Sequence, residues 1–237
     1  MQMTIHFNAD RLVLPLACQQ QIHGMIYRLL SAHPVFSEAL HNAPETVRAF
    51  KGFTFSKLNG VYQIKGKWFE FNGPVSLEIR SCQAAVIRIL QESLQKGEPP
   101  RLGSNILQLT DVEVTDRHIA DNLIRVRMNT PIAVYRTDED RHTVFYSPAD
   151  EAFCPAVVRN AERKYAYLTG HTPAQPLTVQ PLFTDLPKKL CTVFKGTYIT
   201  GWFGDYLLSS TPDMLDFLYQ TGLGSKNSEG FGLFNLL

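Results

Sequence analysis

Four glycines surround one lysine in the segment Gly222-Leu223-Gly224-Ser225-Lys226-Asn227-Ser228-Glu229-Gly230-Phe231-Gly232. Because glycine has no side chain, the backbone N–H groups of such a segment can approach an anion closely. Lys226 and its polar neighbours add donors that suit phosphate and ribose. A flexible helix-to-strand connector explains the same glycines, since glycine clusters mark turns more often than sites. From the residues alone, the segment is either an anion-binding loop or a connector.

The position of these glycines excludes two common nucleotide-binding motifs. A Walker loop needs Gly-Lys followed by Ser or Thr and then a helix, and the dinucleotide fingerprint also opens a helix. Only five residues follow Gly232, which is too few for that helix. A nucleoside triphosphate site is therefore not expected, and no cofactor is predicted.

The glycine-rich segment resembles a signature of the CRISPR-associated endoribonucleases that process precursor CRISPR RNA, in the repeat-associated mysterious protein superfamily. The shared features are a GxG loop, a lysine and a Gly-Phe-Gly ending just before the last strand. The N-terminal part is similar to the same family, in the same order, through Leu14-Pro15-Leu16, Ile26-Tyr27, Leu40-His41 and Lys51-Gly52-Phe53-Thr54-Phe55-Ser56. The resemblance spans the whole chain, although residues 75–210 match only in pattern.

This resemblance implies a function and a set of site residues. It implies metal-independent cleavage of CRISPR precursor RNA within the repeat by 2′-hydroxyl attack, which leaves a 2′,3′-cyclic phosphate and a 5′-hydroxyl. In the archaeal type of the family a tyrosine, a histidine and a lysine form the catalytic group, and these match Tyr27, His41 and Lys51. The RNA-binding residues that it implies are Gly222, Gly224, Ser225, Lys226, Asn227, Ser228, Gly230 and Gly232.

The chemistry of such a cleavage suits these residue types. One group must take a proton from the attacking hydroxyl, and another must protonate or stabilise the departing 5′-oxygen. His41 suits either proton role because the ordinary histidine pKa is about 6.5. Lys51 would stabilise charge on the phosphate, and Tyr27 would orient a group or donate a proton. Without the resemblance, all three are ordinary boundary or surface residues.

Two further features are weighed against this set. His23 lies one helical turn before Tyr27 on the same predicted helix face and is the alternative to His41. The acidic run Asp138-Glu139-Asp140 suggests a divalent-metal site, but it lies between two strand-like segments. It is more typical of a solvated hairpin tip, and no metal site is predicted.

The first half of the chain has the pattern of one βαββαβ unit. Apolar alternation predicts strands and helical spacing predicts helices. The predicted strands cover Met3–Phe7, Phe50–Ser56, Val61–Phe71 and Ile106–Val114, with a loop at Asn8-Ala9-Asp10 and a hairpin turn at Asn59-Gly60. The predicted helices begin at Gln19 and at Gln83, with a second short helical stretch from Pro34 to about Leu40.

The second half repeats this order more loosely. Strands are predicted over Asn122–Tyr135, Leu177–Thr184, Leu190–Thr200 and Phe231–Leu237, and helices over Asp150–Thr169 and from Thr211-Pro212-Asp213 onward. The sequence therefore predicts an α+β fold, a tandem ferredoxin-like (βαββαβ, RRM-like) duplication. An N-terminal domain over 1–118 would carry the catalytic residues, and a C-terminal domain over 119–237 would carry the glycine-rich loop, 222–232.

Composition limits the remaining alternatives. An apolar fraction of 44% with 19% charged residues is typical of an ordinary folded protein. The start of the sequence has no secretory pattern and no stretch reaches membrane-spanning length, which favours a cytoplasmic protein without a membrane partner. The four cysteines form no CxxC pair, which argues against a zinc site and a disulfide framework.

A net charge of +1 means that RNA phosphates must be met by a local patch. The candidate cations are Arg159, Arg163, Lys164, Lys188, Lys189 and Lys195. The expected partner is CRISPR repeat RNA, and other CRISPR effector-complex subunits or a second copy of the chain are open. The alternative function is a non-catalytic repeat-RNA-binding subunit of an effector complex.

Overall fold

The protein is described by a computed structural model over residues 1–31, 33, 50–96, 98–140 and 142–237. Its helices are α1 (Gln19–Ser31), α2 (Ala84–Lys96), α3 (Phe153–Thr169) and α4 (Pro212–Thr221). Its strands are β1 (Gln2–Pro15), β2 (Phe53–Phe55), β3 (Asn59–Lys65), β4 (Trp68–Ser81), β5 (Arg101–Leu102), β6 (Asn105–Ile106), β7 (Gln108–Thr115), β8 (Leu123–Met128), β9 (Tyr135–Thr137), β10 (Thr143–Phe145), β11 (Thr178–Pro181), β12 (Lys189–Phe194), β13 (Thr197–Trp202), β14 (Asp205–Ser209) and β15 (Phe234–Leu236). The predicted helical stretch from Pro34 to Leu40 lies outside the described residues.

The first half is an antiparallel sheet with helices packed on it. Its strands follow the order β2-β4-β1-β7, and β3 pairs with the earlier part of β4. Alternate residues of β1 are buried, as expected for a strand with one face in the core. The core of this half includes Met3, Ile5, Phe7, Ile22, Met25, Ile26, Leu30, Val86, Ile87, Leu90 and Leu94. Both predicted helices are thus confirmed, with their apolar stripes against the sheet.

The second half has a separate sheet and a separate core. Its strands follow the order β11-β14-β8-β15, and the β12–β13 hairpin stands apart from this sheet. The core includes Val126, Met128, Val157, Ala161, Leu208, Met214, Leu215, Leu218 and Phe234. The predicted start of α4 is confirmed, since the Thr211 hydroxyl accepts a hydrogen bond from the backbone N–H of Met214 and Pro212 begins the helix.

The two sheets share one strand order. When the extra strand β3 is left out of the count, the first strand along the chain is central in each of them, between the third and the fourth, and the second is at an edge. On the same count a helix follows the third strand of each sheet, and a helix also follows the first strand, directly after β1 and after the β9–β10 hairpin in the second half. The structure is therefore a mixed α+β fold with antiparallel sheets, as the sequence predicts at this level. Among the described residues, no helix combines the length and apolar character needed to cross a bilayer.

Arg80 connects the two halves. Its side chain is 2% exposed, and its guanidinium donates to the carbonyl oxygens of Phe234 at 2.7 Å and Tyr219 at 3.4 Å. It also donates to the Asn235 side chain, pairs with Glu78 and lies 3.8 Å from the centre of the Tyr219 ring. A buried cation from β4 therefore satisfies acceptors on both sides of the loop that joins α4 to β15.

The predicted hairpin turn at Asn59-Gly60 is wrong. Both residues lie in β3, where Gly60 pairs with Val75, and the chain turns later, at Gly66 with φ of 62°. A Cβ at Gly60 would lie 2.8 Å from the Val75 side chain. This glycine therefore allows close packing between strands, and the preference of Asn-Gly for turns does not decide the structure here.

Two other boundaries differ from the prediction. Asn8-Ala9-Asp10 continues β1, because an irregularity in register between Ala9 and Leu12 takes up the polar residues within the strand. Leu190–Thr200 is not one strand but a hairpin that turns at Lys195 and Gly196, both with positive φ. The acidic run at 138–140 follows β9 at the tip of the β9–β10 hairpin, as predicted.

Candidate functional site

A cleft of about 1030 Å³ lies between the two halves. The first half lines it with residues 50–53, at the start of β2. The second half contributes α3 and the glycine-rich loop, the segment 222–232. The lining residues among those described are Phe50, Lys51, Gly52, Phe53, Val134, Tyr135, Ala156, Arg159, Asn160, Arg163, Lys164, Ala166, Tyr167, Thr221, Ser225, Lys226, Asn227, Ser228 and Glu229.

One face of α3 supplies cations and an aromatic ring to the cleft. Arg159, Arg163 and Tyr167 are exposed and follow one another at the four-residue spacing that aligns side chains on a helix. The Tyr167 ring packs edge-on against Phe50 from the opposite wall, with ring centres 5.7 Å apart. Neither arginine forms an ion pair with any acid that the structure describes, so both remain available for an anion.

The glycine-rich loop is mostly buried, and its exposed atoms face the cleft. Its partly exposed side chains are Ser225, Lys226, Ser228 and Glu229. Lys226 has a left-handed backbone with φ of 65°, and its ammonium lies 3.2 Å from Glu229. A Cβ at Gly232 would overlap the Leu223 carbonyl oxygen. Close packing within the loop therefore requires that glycine, whatever the loop binds.

Asn227 and Lys164 hold this loop from inside. The Asn227 amide donates to the carbonyl oxygens of Leu223 and Phe231, both at 3.0 Å. The Lys164 ammonium donates to the Asn227 side-chain oxygen at 2.8 Å and to the Gly222 carbonyl at 2.5 Å. Burial lowers the pKa of Lys164 from 10.5 to about 7. The Asn227 side chain is therefore occupied within the protein.

Lys164 is not part of the exposed basic patch for which it was a candidate. It is 2% exposed and lies on the apolar stripe of α3. The signal that could have found it is its spacing, because it follows Val157 and Ala161 on the same buried helix face. A lysine at a core position needs internal acceptors, and the loop provides them.

Tyr27 reaches the glycine-rich loop from α1. Its side chain lies next to Ser228 of the loop, and its ring centre lies 6.0 Å from that of Phe53. Burial raises the pKa of the Tyr27 hydroxyl; the interaction with Ser228 opposes the shift and the Glu229 charge adds to it. The hydroxyl therefore stays protonated near neutral pH and is able to donate.

His23 stacks on Tyr27 with ring centres 4.1 Å apart and meets Phe194 edge-on at 5.1 Å. Burial, with a smaller contribution from the Lys195 charge, lowers the pKa of His23 from 6.5 to about 4. The imidazole is therefore neutral near neutral pH, so it suits a proton acceptor better than a proton donor.

The third predicted catalytic residue, Lys51, lines the cleft opposite Arg159 and Arg163. Its side chain is partly exposed and forms no ion pair with a described residue. His41 lies outside the described residues. The structure thus brings Tyr27, Lys51 and the glycine-rich loop to one region, and the role of His41 stays a prediction.

Other residues weighed from the sequence lie elsewhere. Lys188, Lys189 and Lys195 belong to the β12–β13 hairpin and the turn before it, and they do not line the cleft. Phe53 and Phe55, which alternate along the predicted strand Phe50–Ser56, are 1% and 0% exposed and are therefore core residues. Within the described residues, no group of three or more His, Cys, Asp or Glu is placed to hold a metal ion.

Comparison with known proteins gives one family match and one curated relative. The model of the family described as "CRISPR associated protein Cas6, C-terminal" matches residues 113–236. A curated protein of Pyrococcus horikoshii, "Putative CRISPR-associated endoribonuclease-like protein Cas6nc", is 23% identical over 169 residues, which cover 69% of each chain.

Solved structures with the same fold cover the whole chain. One, from "Characterization of a Cas6-related gene from Pyrococcus furiosus", has a TM-score of 0.85 at 20% identity and is matched over 98% of its own length. A second, described as "An RAMP protein binding different RNA substrates", has a TM-score of 0.86 at 20% identity and is matched over 99%. At these identities the structures establish a shared fold.

Proposed function

The chain belongs to the Cas6 family of CRISPR-associated proteins, and we propose that it is a metal-independent endoribonuclease that cleaves CRISPR precursor RNA within the repeat. The observation that carries this proposal is the meeting of Tyr27 with Ser228 beside a cleft that Lys51 and Lys226 line from opposite halves. A phosphate in that cleft would meet cations from both walls and a neutral hydroxyl donor at its edge.

The proposed reaction uses the RNA's own 2′-hydroxyl as the nucleophile. His41 takes or supplies the proton, Lys51 neutralises charge that develops on the phosphate, and Tyr27 donates a hydrogen bond. The products are a 2′,3′-cyclic phosphate and a 5′-hydroxyl. The raised pKa of Tyr27 supports the donor role, because a phenolate would repel the phosphate.

His23 is the alternative proton carrier in this proposal. Its lowered pKa and its position between Tyr27 and Phe194 favour a neutral imidazole that accepts a proton, rather than an acid that delivers one. A base at His23 would still need a separate acid for the departing 5′-oxygen. We therefore keep His41 as the first candidate for the acid or base.

The proposed RNA contacts come from two kinds of group. Arg159, Arg163 and Lys226 meet phosphates, and the loop hydroxyls of Ser225 and Ser228 meet phosphate or ribose. Tyr167 and Phe50 offer ring surface for a base. The loop glycines would contribute indirectly, because their positive φ values allow the backbone conformation of the loop. These glycines are Gly222, Gly224, Gly230 and Gly232.

We also propose that the chain is a tandem ferredoxin-like duplication with a boundary near residue 118. The strand order that the two sheets share apart from the extra strand β3 supports it, as do the two separate hydrophobic cores. In this arrangement the cleft lies between duplicated units, and each unit supplies one wall.

The alternative is a repeat-RNA-binding subunit without nuclease activity. The curated relative is named "endoribonuclease-like", which favours keeping this alternative. It predicts the same affinity for RNA and no cleavage. The proposed cleft serves both functions, so only a reaction assay separates them.

The test is incubation of the purified protein with a CRISPR repeat RNA in excess EDTA, followed by analysis of the product ends. We expect cyclic phosphate ends from the wild type and from His23→Ala, and loss of cleavage with retained binding for His41→Ala. Full activity of His41→Ala would overturn its assignment, and a strict magnesium requirement would overturn the mechanism. Tight binding without cleavage by the wild type would establish the alternative.

A further inference from the structure

We propose that Lys164 is a positioning residue, whose buried side-chain nitrogen holds the glycine-rich loop in the shape that presents Lys226 and Ser228 to the cleft. This inference rests on the proposed function, because it assigns to the cleft the binding of RNA. It adds a residue that is 2% exposed and acts through the loop.

The hydrogen bonds of the Lys164 side chain go to the end of α4 and to the loop. Its ammonium donates to the carbonyl oxygens of Thr221 at 3.4 Å and Gly222 at 2.5 Å, where α4 ends, and to the Asn227 side chain at 2.8 Å. Three acceptors match the three N–H groups of an ammonium. These acceptors lie at the two ends of the segment 221–227. The lysine therefore fixes the distance between those ends.

Asn227 passes this constraint to the rest of the loop. While its side-chain oxygen accepts from Lys164, its amide donates to the carbonyl oxygens of Leu223 and Phe231. The three contacts orient the Asn227 side chain completely, since the oxygen and both N–H groups are used. The buried side chains of Lys164 and Asn227 therefore hold the loop backbone at residues 222, 223, 227 and 231.

The exposed loop residues depend on this centre for their position. Lys226 and Ser228 flank Asn227 directly, so a rotation of Asn227 would move both of them. Ser228 also lies next to the Tyr27 side chain, which belongs to the other half of the chain. Ser225 is fixed separately, by the Asn160 amide at 3.0 Å. Lys164 and Asn160 both belong to α3, so one helix supports the loop from below.

Burial of a lysine is unfavourable unless its donors are satisfied. An apolar side chain at this position on the stripe of α3 would pack without that penalty, as Val157 and Ala161 do. The lysine therefore costs stability that a simple core would not, and what it provides in return is the fixed geometry of the loop.

The experiment compares Lys164→Met with Leu90→Ala in the full chain. Leu90 is the control, because it is fully buried in the core of the first half and neither lines the cleft nor belongs to an element that touches the loop. Three quantities are measured: thermal unfolding, affinity for a repeat RNA well below both melting temperatures, and hydrogen exchange of the loop amides without RNA. Both variants should melt at a lower temperature.

Only Lys164→Met should weaken RNA binding, by about tenfold, since the loop loses the hydrogen bonds that hold it in the shape that binds RNA. Only Lys164→Met should also speed exchange at Leu223, Gly230 and Gly232, whose amides donate within the loop or to its neighbours. Unchanged affinity and exchange would overturn the proposal, and so would an equal loss of affinity in both variants.

If Lys164→Met does not fold, Asn227→Ala serves as the second variant. It should produce the same two changes, because it removes the three side-chain hydrogen bonds that connect Lys164 to the rest of the loop, and no change would again overturn the proposal. A wild type that does not bind repeat RNA would overturn the proposed function instead. The hydrogen-exchange comparison distinguishes the two failures, because it needs no RNA.

Discussion

The two walls of the cleft are built differently. The wall from the second half is a helix and a loop tied together by buried polar groups, with Arg159, Arg163 and Lys226 held at its surface. The wall from the first half is the short segment 50–53, in which Lys51 is the one cation among the described residues. This difference indicates that the second half provides most of the affinity for an anion, whereas the proposed chemistry depends on the first half.

The candidate chemical groups also differ in environment from the binding groups. Tyr27 and His23 are half-buried, and burial moves their pKa values toward the neutral form. The arginines of α3 are exposed and stay charged. Substitutions in the two walls should therefore change different measured quantities.

The largest effect should come from separating the two walls. Arg80→Met should lower the free energy of unfolding by about 3 kcal/mol, because the partly buried Glu78 and the buried Phe234 carbonyl would lose their cation. Denaturant unfolding measures it, with Arg88→Met on the exposed face of α2 as the control. Equal stability of the two variants would mean that the halves do not depend on this contact.

The next effect separates chemistry from affinity. Lys51→Ala should lower the rate of cleavage at saturating RNA about 100-fold, since it removes charge stabilisation of the phosphate. Lys226→Ala should weaken binding instead and reduce the slope of log affinity against log salt by about 0.7. Single-turnover kinetics and salt titrations measure the two. If both variants change the cleavage rate alone, or the RNA affinity alone, the proposed difference between the two walls is wrong.

A smaller effect tests whether the loop glycines serve packing. Gly232→Ala should lower the free energy of unfolding by about 2 kcal/mol, because its Cβ would overlap the Leu223 carbonyl. Gly66→Ala has a similar positive φ but no atom within 4 Å of the added Cβ, so about 1 kcal/mol is expected. Equal losses would show that only the backbone conformation matters.

The smallest effect concerns the end of the first half, where His118 contacts Asp216 of α4 at 3.2 Å and Asp116 at 3.3 Å. Hydrogen bonds to these two carboxylates raise the pKa of His118. Its stabilising contribution should therefore be complete below about pH 6.5 and lost as pH rises through the folded-state pKa. The melting temperature of the wild type minus that of His118→Gln should be larger at about pH 5.5 than at about pH 8.5. An equal or larger difference at the alkaline pH would contradict this.

Helices were predictable here because their signals are local. The stripe of Ile22, Met25, Ile26 and Leu30 and the Thr211-Pro212 start require no knowledge of distant residues. Strand boundaries were less predictable. Asn59-Gly60 has the local signal of a turn, but pairing with β4 keeps it in a strand, and β14 was missed because its partners β8 and β11 lie far away in sequence.

The sequence by itself determined the α+β class, the order of most elements and the composition of the glycine-rich loop, because periodicity and residue type are properties of neighbouring residues. Only the tertiary structure decided which loop atoms face the cleft. It turned Asn227 and Lys164 inward and left Lys226 outward, although all three are polar. The physical reason is that a buried donor must find an acceptor, and the acceptors of Lys164 come from residues about 60 positions away along the chain.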